Sequence, residues 1–441
     1  MNLPLFSYNL LQAVLAPLML PAALVYILTK PKYRFQFAMR TAGWRRRLPE
    51  RKGMTIWIHT LSFGEVNAAM PLVNAVRDRW PDARIICSAG TESGYRYLEK
   101  RAGERVELIT FPPYDIYPLC VATRNALRPD CFILVETDVW PNWLWSLYAA
   151  GTRMLFVNAA VSARAAGMLV KHKGISRLLY GPFDRIAAQS GDDAARFMSF
   201  CDEKQVVEAG NLKFDIPVSD DLKEMNGIVR KRFGFSCDDL VIVAGSTHQG
   251  EEEIILAAFL RIRARTRQTT RLVLAPRHPE RGGEVHELAE KHGVKAVPVT
   301  HISGMNNPSQ TSCDVVIIDT LGELASCYAA ADLAFVGGSL VPVGGHNLLE
   351  PAACGVPVLF GPFVESCRDV ACALEESNGG TRVANMEEFV EVAVNMLSDD
   401  SKRSAVGKNA AELVARNRGA TDFYLGMIED ALASVAAGEI R

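Results

Sequence analysis

The stretch FVGGSLVPVGGHNLLEPAACGVPVLFGP, Phe335 to Pro362, decides how the chain is read. An apolar run ends at Gly337-Gly338, a second pair, Gly344-Gly345, precedes His346-Asn347, a short helical segment follows, and VPVLFG is apolar again. Apolar run, glycine loop, helix and apolar run make one β-α-β unit of a parallel sheet. The four glycines permit backbone conformations and a close approach that side chains would forbid. His346 and Asn347 stand at the helix start, where free N–H groups and the dipole favour an anion. Glu350 comes one helical turn after Asn347 and can face the same ligand. A carboxylate is no phosphate ligand, so its natural target is a hydroxyl pair such as a ribose. The loop is therefore expected to hold a nucleotide.

The same rhythm extends outward in both directions. TIWIH (55–59), RIICSA (84–89), VELITF (106–111), CFILVE (131–136), RMLFVNA (153–159) and RIAAQS (185–190) read as strands with helical segments between most of them. After a pause at GNLKFDIPVSDD (210–221), rich in turn formers, it resumes with DLVIVAGS (239–246), RLVLAPRH (271–278), DVVIID (314–319), DLAFVGG (332–338) and VPVLFG (356–361). This is an α/β chain of two doubly wound, Rossmann-like halves, 31–211 and 221–441, joined near 211–220. Ligands in such sheets gather beyond the carboxyl ends of the strands, so the expected site is a cleft between the halves.

The bulk numbers agree. At 441 residues the chain is too long for one ordinary core. Hydrophobic residues at 49% and charged residues at 22% exclude a disordered chain or a coiled coil. A formal charge of −2 gives no general attraction to nucleic acid. The ten cysteines are scattered without a C-x-x-C pair, which reads as reduced thiols and not as a disulfide framework or a zinc site.

The N-terminus differs from the rest. LLQAVLAPLMLPAALVYIL, Leu10 to Leu28, holds one polar side chain, Gln12, and no charge. It is followed by Lys30, Lys32, Arg34, Arg40, Arg45, Arg46, Arg47, Arg51 and Lys52 against a single Glu50. The expectation is a single membrane-anchor helix within residues 1–30, with the positive-inside bias leaving the remainder in the cytoplasm against inner-membrane lipids. The alternative is a buried or interfacial hairpin at the edge of the globular part, whose basic segment would still favour anionic lipid heads.

Several strand ends carry polar residues. After the first strand come Ser62, Phe63, Gly64 and Glu65. Glu65 is either a first-turn charge stabilised by the dipole or a general base, with Gly64 letting a second substrate approach. ETDVWPNWLW ends the fourth strand with Glu136 and Asp138, suited to a metal or to capping the next helix and orienting a hydroxyl. Its Trp140, Trp143 and Trp145 suit a core better than a lipid wall. In the second half Ser246 and His248 end one strand, and Arg277 and His278 end the next. Arg277 is fitted to pair with a phosphate or carboxylate.

In this order, SFGE, ETDVWPN, GNLKFD, AGSTHQGEE, APRHPER and the Phe335–Pro362 stretch resemble the 3-deoxy-D-manno-octulosonic acid (Kdo) transferases of lipopolysaccharide assembly. The resemblance spans nearly the whole chain. It implies a GT-B fold, CMP-Kdo as donor, the disaccharide lipid IV-A as acceptor, inverting transfer, and no cofactor or metal. By motif position Glu65 corresponds to the catalytic base, with Ser62, Gly64, Glu136 and Asp138 on the acceptor side. Arg277, Gly344, Asn347 and Glu350 correspond to CMP-contacting residues, beside Ser246, His278, Gly338 and His346. Lys213 of GNLKFD corresponds to a cleft lysine, the choice for the donor carboxylate. The chain departs from the family where it reads Glu136-Thr137-Asp138 for E-T-E, Ala160 for an arginine in NAAVS, and CSAGTESG for a threonine-rich strand end; all lie in the amino-terminal half. The competing readings are a GT-B enzyme of another kind, such as an epimerase or a UDP-sugar transferase, and an inactive membrane-bound binding module.

Overall fold

The structure is a computed structural model that describes residues 3–41, 43–51, 53–216, 221–303 and 313–437. The chain divides into two compact units, Met1–Asp215 with Arg418–Arg441, and Ile216–Asn417. Part of the expected joint, residues 217–220, lies outside the described residues, as does Lys52 of the basic segment.

The first unit is built on seven parallel strands: β1 Thr55–Thr60, β2 Arg84–Ala89, β3 Leu108–Thr110, β4 Cys131–Val135, β5 Arg153–Ala159, β6 Arg185–Ala188 and β7 Val206–Glu208. Their order is β3-β2-β1-β4-β5-β6-β7. Every residue of β1, β2 and β4 is buried, because helices cover both faces of the sheet. That double burial is why these strands read as apolar runs and not as an alternation. Trp143 belongs to this core, with its ring 5.0 Å from Trp57 and 4.9 Å from Phe132. Trp140 is exposed.

The second unit repeats the plan with β8 Leu240–Thr247, β9 Thr270–Pro276, β10 Ala296–Pro298, β11 Val315–Ile317, β12 Leu333–Val336, β13 Val358–Phe360 and β14 Gly380–Arg382, in the order β10-β11-β9-β8-β12-β13-β14. Alternate residues of β8 serve opposite cores, Leu240, Ile242 and Ala244 on one face and Val241 and Val243 on the other.

The last helix, Ala420–Ala436, belongs to the first unit, whereas the sequence reading kept everything after residue 221 in the second half. Asp215 accepts the main-chain N–H groups of Gly419 at 2.7 Å and Thr421 at 2.5 Å. Tyr424, fully buried, donates its hydroxyl to the Gly210 carbonyl at 2.7 Å and accepts the Asn158 N–H at 3.0 Å. The surface that receives this helix is assembled from strand ends far away in the chain, which a local pattern does not carry.

At the N-terminus, α1 Leu3–Thr29 and α2 Pro31–Thr41 form a helical hairpin. Among the described residues no helix is long and apolar enough to cross a membrane. One stripe of α1 is docked on the first unit. Leu5 is buried, Tyr8 donates to Asp115 at 2.8 Å, Asn9 donates to Asn142 at 2.8 Å, and Gln12 donates to the Asp115 carbonyl at 3.0 Å. The return helix is pinned to the same unit, where Arg40 donates to the carbonyls of Gly90 at 2.6 Å and Pro112 at 3.1 Å. Both ends of the hairpin are thus held by one unit. The side chains of residues 19, 20, 22–25 and 28, in the middle of the expected anchor, lie outside the described residues.

Candidate active site

In an open parallel sheet the crevice outside the carboxyl ends of the strands is widest where the strand order reverses. In the first unit that point lies between β1 and β4. The loop after β1 carries Glu65 and the loop after β4 carries Glu136-Thr137-Asp138, so the fold itself brings these two motifs together.

Glu65 lies in the first turn of α3 Phe63–Arg79, which Ser62 caps by accepting the Glu65 N–H at 3.5 Å. A Cβ added at Gly64 would meet nothing nearer than the Ser62 hydroxyl at 3.9 Å, so space is open beside the turn. The Glu65 carboxylate is buried, at 7% exposure, and points back into the unit. Its Oε2 accepts the Leu61 N–H at 2.5 Å and its Oε1 accepts the Thr137 hydroxyl at 2.8 Å. Burial, with the nearby charges of Glu136 and Asp138, outweighs those two hydrogen bonds and pushes the carboxyl up to about 7. A surface helix-start charge would stay acidic; this one is tuned to exchange a proton near neutrality.

Glu136 and Asp138 are both engaged within the unit. Glu136 accepts from Asn158 at 2.9 Å, and Lys213 Nζ stands 3.9 Å from the same oxygen. Lys213 therefore sits in the first unit beside Glu136, apart in sequence and in unit from the residues with which the donor reading grouped it. Asp138 meets the buried His59 at 2.8 Å and accepts the Trp140 indole N–H at 2.5 Å. Burial alone would raise Asp138, but His59, Trp140 and Arg40 together hold it below its ordinary value.

In the second unit the order reverses between β8 and β12, and the residues after both strands converge. Ser246 adopts a left-handed backbone, φ 56°, at an irregularity in β8. Gly337 has no room for a side chain, since a Cβ would lie 2.6 Å from the Ser246 carbonyl oxygen. Gly338, Gly344 and Gly345 have φ of 68°, 109° and 80°, the left-handed region that favours glycine. His248 and His346 bring their Nε2 atoms to 2.7 Å, and the His278 ring lies 6.1 Å from that of His248. Burial and the neighbouring His248, Arg277 and His278 pull His346 down to about 4. At that value the His346 ring is neutral near pH 7 and can share a proton with His248 across their short contact. Arg277 is exposed at the end of β9. Asn347 donates to Glu350 at 3.0 Å and accepts the Leu349 N–H at 3.1 Å, while burial raises the Glu350 carboxyl. Among the described residues no group of three or more His, Cys, Asp or Glu side chains is arranged to hold a metal ion.

Three contributors escaped the sequence reading. Thr137 stands between two acidic neighbours and carries no sequence signal of its own. His59 lay inside an apolar strand. Glu251 was one of three glutamates opening a helix, and only its position three residues after His248 hinted that it turns back onto the strand end.

Residues 32–216 match the family described as 3-deoxy-D-manno-octulosonic-acid transferase (kdotransferase). A 3-deoxy-D-manno-octulosonic acid transferase of Haemophilus influenzae is 30% identical over 430 residues, covering 96% of this chain and 98% of that protein. One from Bordetella pertussis is 33% identical over 394 residues, covering 87% and 89%. In fold the chain is similar to the UDP-GlcNAc 2-epimerase of Neisseria meningitidis, with a TM-score of 0.55 over 86% of this chain and all of that one. At 12% identity that likeness shows the α/β GT-B type of fold and says nothing of the reaction. With sequence similarity running almost from end to end, the chain belongs to the 3-deoxy-D-manno-octulosonic acid transferase family and is a glycosyltransferase.

Proposed function

We propose that the protein transfers Kdo from CMP-Kdo to lipid IV-A with inversion, in the lipid A-core assembly of lipopolysaccharide. An acceptor hydroxyl attacks the anomeric ketose carbon, the bond from that carbon to the phosphate oxygen breaks, and CMP departs with the electron pair. The hydroxyl proton passes to Glu65. The observation that carries this reading is the buried Glu65 carboxylate at the switch point of the first sheet, with its pKa moved up to about 7. A carboxylate at its ordinary 4.5 is a poorer proton acceptor at neutral pH.

The second unit supplies the donor side of the proposal. Charge grows on the phosphate as CMP leaves, and the Arg277 guanidinium can meet it with fixed positive charge while ring N–H groups of His248, His278 and His346 offer hydrogen bonds. Glu350, held by Asn347, is placed for a ribose hydroxyl.

Membrane association is proposed through α1, by contact along the bilayer surface. Opposite the docked stripe of Leu5, Tyr8, Asn9 and Gln12, the residues Leu3, Phe6, Leu10, Val14 and Leu18 are exposed at helical spacing. An apolar stripe on a helix whose other face is occupied suits the interface plane of an inner-membrane leaflet. Lys30 and Arg34 follow directly and favour anionic heads on the cytoplasmic side.

The test is a product assay with CMP-Kdo and lipid IV-A in vesicles, with products resolved by the number of Kdo units. Kdo-bearing lipid is expected. Transfer from a UDP-sugar, or epimerisation of one, with none from CMP-Kdo would overturn the proposal.

A further inference from the structure

The turn after β4 holds an unusual backbone. Glu136 and Asp138 have φ of 64° and 77°, the left-handed region, and neither is glycine. Such conformations persist where the surroundings hold them, and they collect at functional sites. Here each flank is locked. Glu136 donates its N–H to the Val157 carbonyl at 3.0 Å and accepts from Asn158. Asp138 is gripped by Trp140 and by His59, whose Nδ1 lies 2.8 Å from the Ser88 hydroxyl. Ser88 in turn accepts the Trp57 indole N–H at 2.8 Å. With the ring neutral, the proton order is Trp57 to Ser88, Ser88 to His59, and His59 Nε2–H to Asp138. Between these two fixed points Thr137 donates its N–H to the Val135 carbonyl at 2.8 Å, and its hydroxyl is left aimed at Glu65.

We propose that Thr137 is a positioning residue for transfer: the strained turn exists to present its hydroxyl to Glu65 Oε1, holding the carboxylate in the orientation and the charge state that accepting the acceptor proton requires. The inference rests on the reading of Glu65 as the base. Leu61 N–H and Thr137 O–H each serve one carboxylate oxygen, leaving a lone pair on each for the incoming proton. The hydroxyl has one hydrogen and gives it to the ionised form, so it opposes the rise caused by burial. The charged groups facing Glu65 are Glu136 and Asp138, which themselves face Lys213 and, on the other side, His59 and Arg40. None of these replaces the lost donor if Thr137 is removed.

The experiment measures kcat/KM against pH for the full chain with CMP-Kdo and lipid IV-A. Thr137→Val should raise the midpoint of the acid limb by roughly half a unit to one unit. Below that midpoint the rate should fall about threefold to tenfold, the same shift expressed as a rate. The loss should shrink at high pH, which a merely structural defect would not do, and Thr137→Ser should restore the wild-type limb. Thr137→Ala gives the same readout if the valine fails to fold. A wild-type midpoint in the Val or Ala variant, with Glu65→Gln inactive, would overturn the role of Thr137 and leave the base reading standing. Wild-type turnover in Glu65→Gln would remove the base itself, and this inference with it.

Discussion

Glu251 accepts the main-chain N–H of Gly338 at 2.7 Å, tying the helix after β8 to the glycine loop after β12. The same buried carboxylate accepts N–H groups from His248 at 2.9 Å, Leu340 at 2.8 Å and Ser339 at 3.0 Å. Successive amides of this kind form a nest for an anion, and here a side chain fills it. On the proposed function, a donor phosphate would be met by the histidines and Arg277 instead. Glu251→Gln turns an N–H₂ group towards main-chain donors. It should cost about 1.5 to 3 kcal/mol of stability and weaken CMP binding. Calorimetry showing wild-type melting and wild-type CMP affinity would contradict the clamp.

Tyr424 makes the corresponding test for the returning helix. Tyr424→Phe leaves the Asn158 N–H and the Gly210 carbonyl without the hydroxyl that joins them. A cost of about 1 to 3 kcal/mol is expected, read as a lower melting temperature of the full chain. An unchanged melting curve would show that the helix is held by packing alone.

Why one residue was legible and another was not follows from where each gets its partners. The central strands were readable because burial on both faces leaves an unbroken apolar run, as in RIICSA, which is β2 from end to end. The strands that went unread, β7, β10 and β14, have three residues each and stand at sheet edges, too short to show a period. Glu65 stood out because a glycine and a helix start surround it. Thr137 did not, since its importance lies in a turn geometry fixed by Asn158 and His59 from other strands. The apolar run of α1 was visible, but Tyr8, Asn9 and Gln12, which dock it, meet Asp115 and Asn142 more than a hundred residues on.

The proposed lipid contact predicts a clean separation between folding and membrane binding. Leu10→Asn, Val14→Asn and Leu18→Asn together change residues that are exposed, so melting should stay near wild type. Vesicle partitioning should weaken by about 1 kcal/mol or more for each side chain removed from the apolar phase. High salt alone should release little of the wild type, because apolar contact outlasts screening. Equal flotation of the triple variant and wild type would contradict this face.

Stability should also report the Glu65 environment. A folded-state pKa of about 7 against an ordinary 4.5 means that the folded chain holds this proton more tightly than the unfolded chain. The stability gained from the group is complete below about pH 4.5 and is lost as pH rises through about 7. Glu65→Gln does not titrate. Its melting temperature relative to wild type should therefore increase from about pH 4.5 to about pH 8, by the equivalent of at most about 3 kcal/mol. A difference that stays constant with pH would show that the carboxyl is not perturbed.

The central claim is that Glu65 takes the acceptor proton, and the most direct measurement is the transfer rate of Glu65→Gln with CMP-Kdo and lipid IV-A. The account predicts a fall of about a hundredfold or more. CMP affinity should stay at the wild-type value, and the wild-type enzyme should show a limb rising through about pH 7 that the variant lacks. A variant that binds CMP normally and transfers Kdo at the wild-type rate would contradict it.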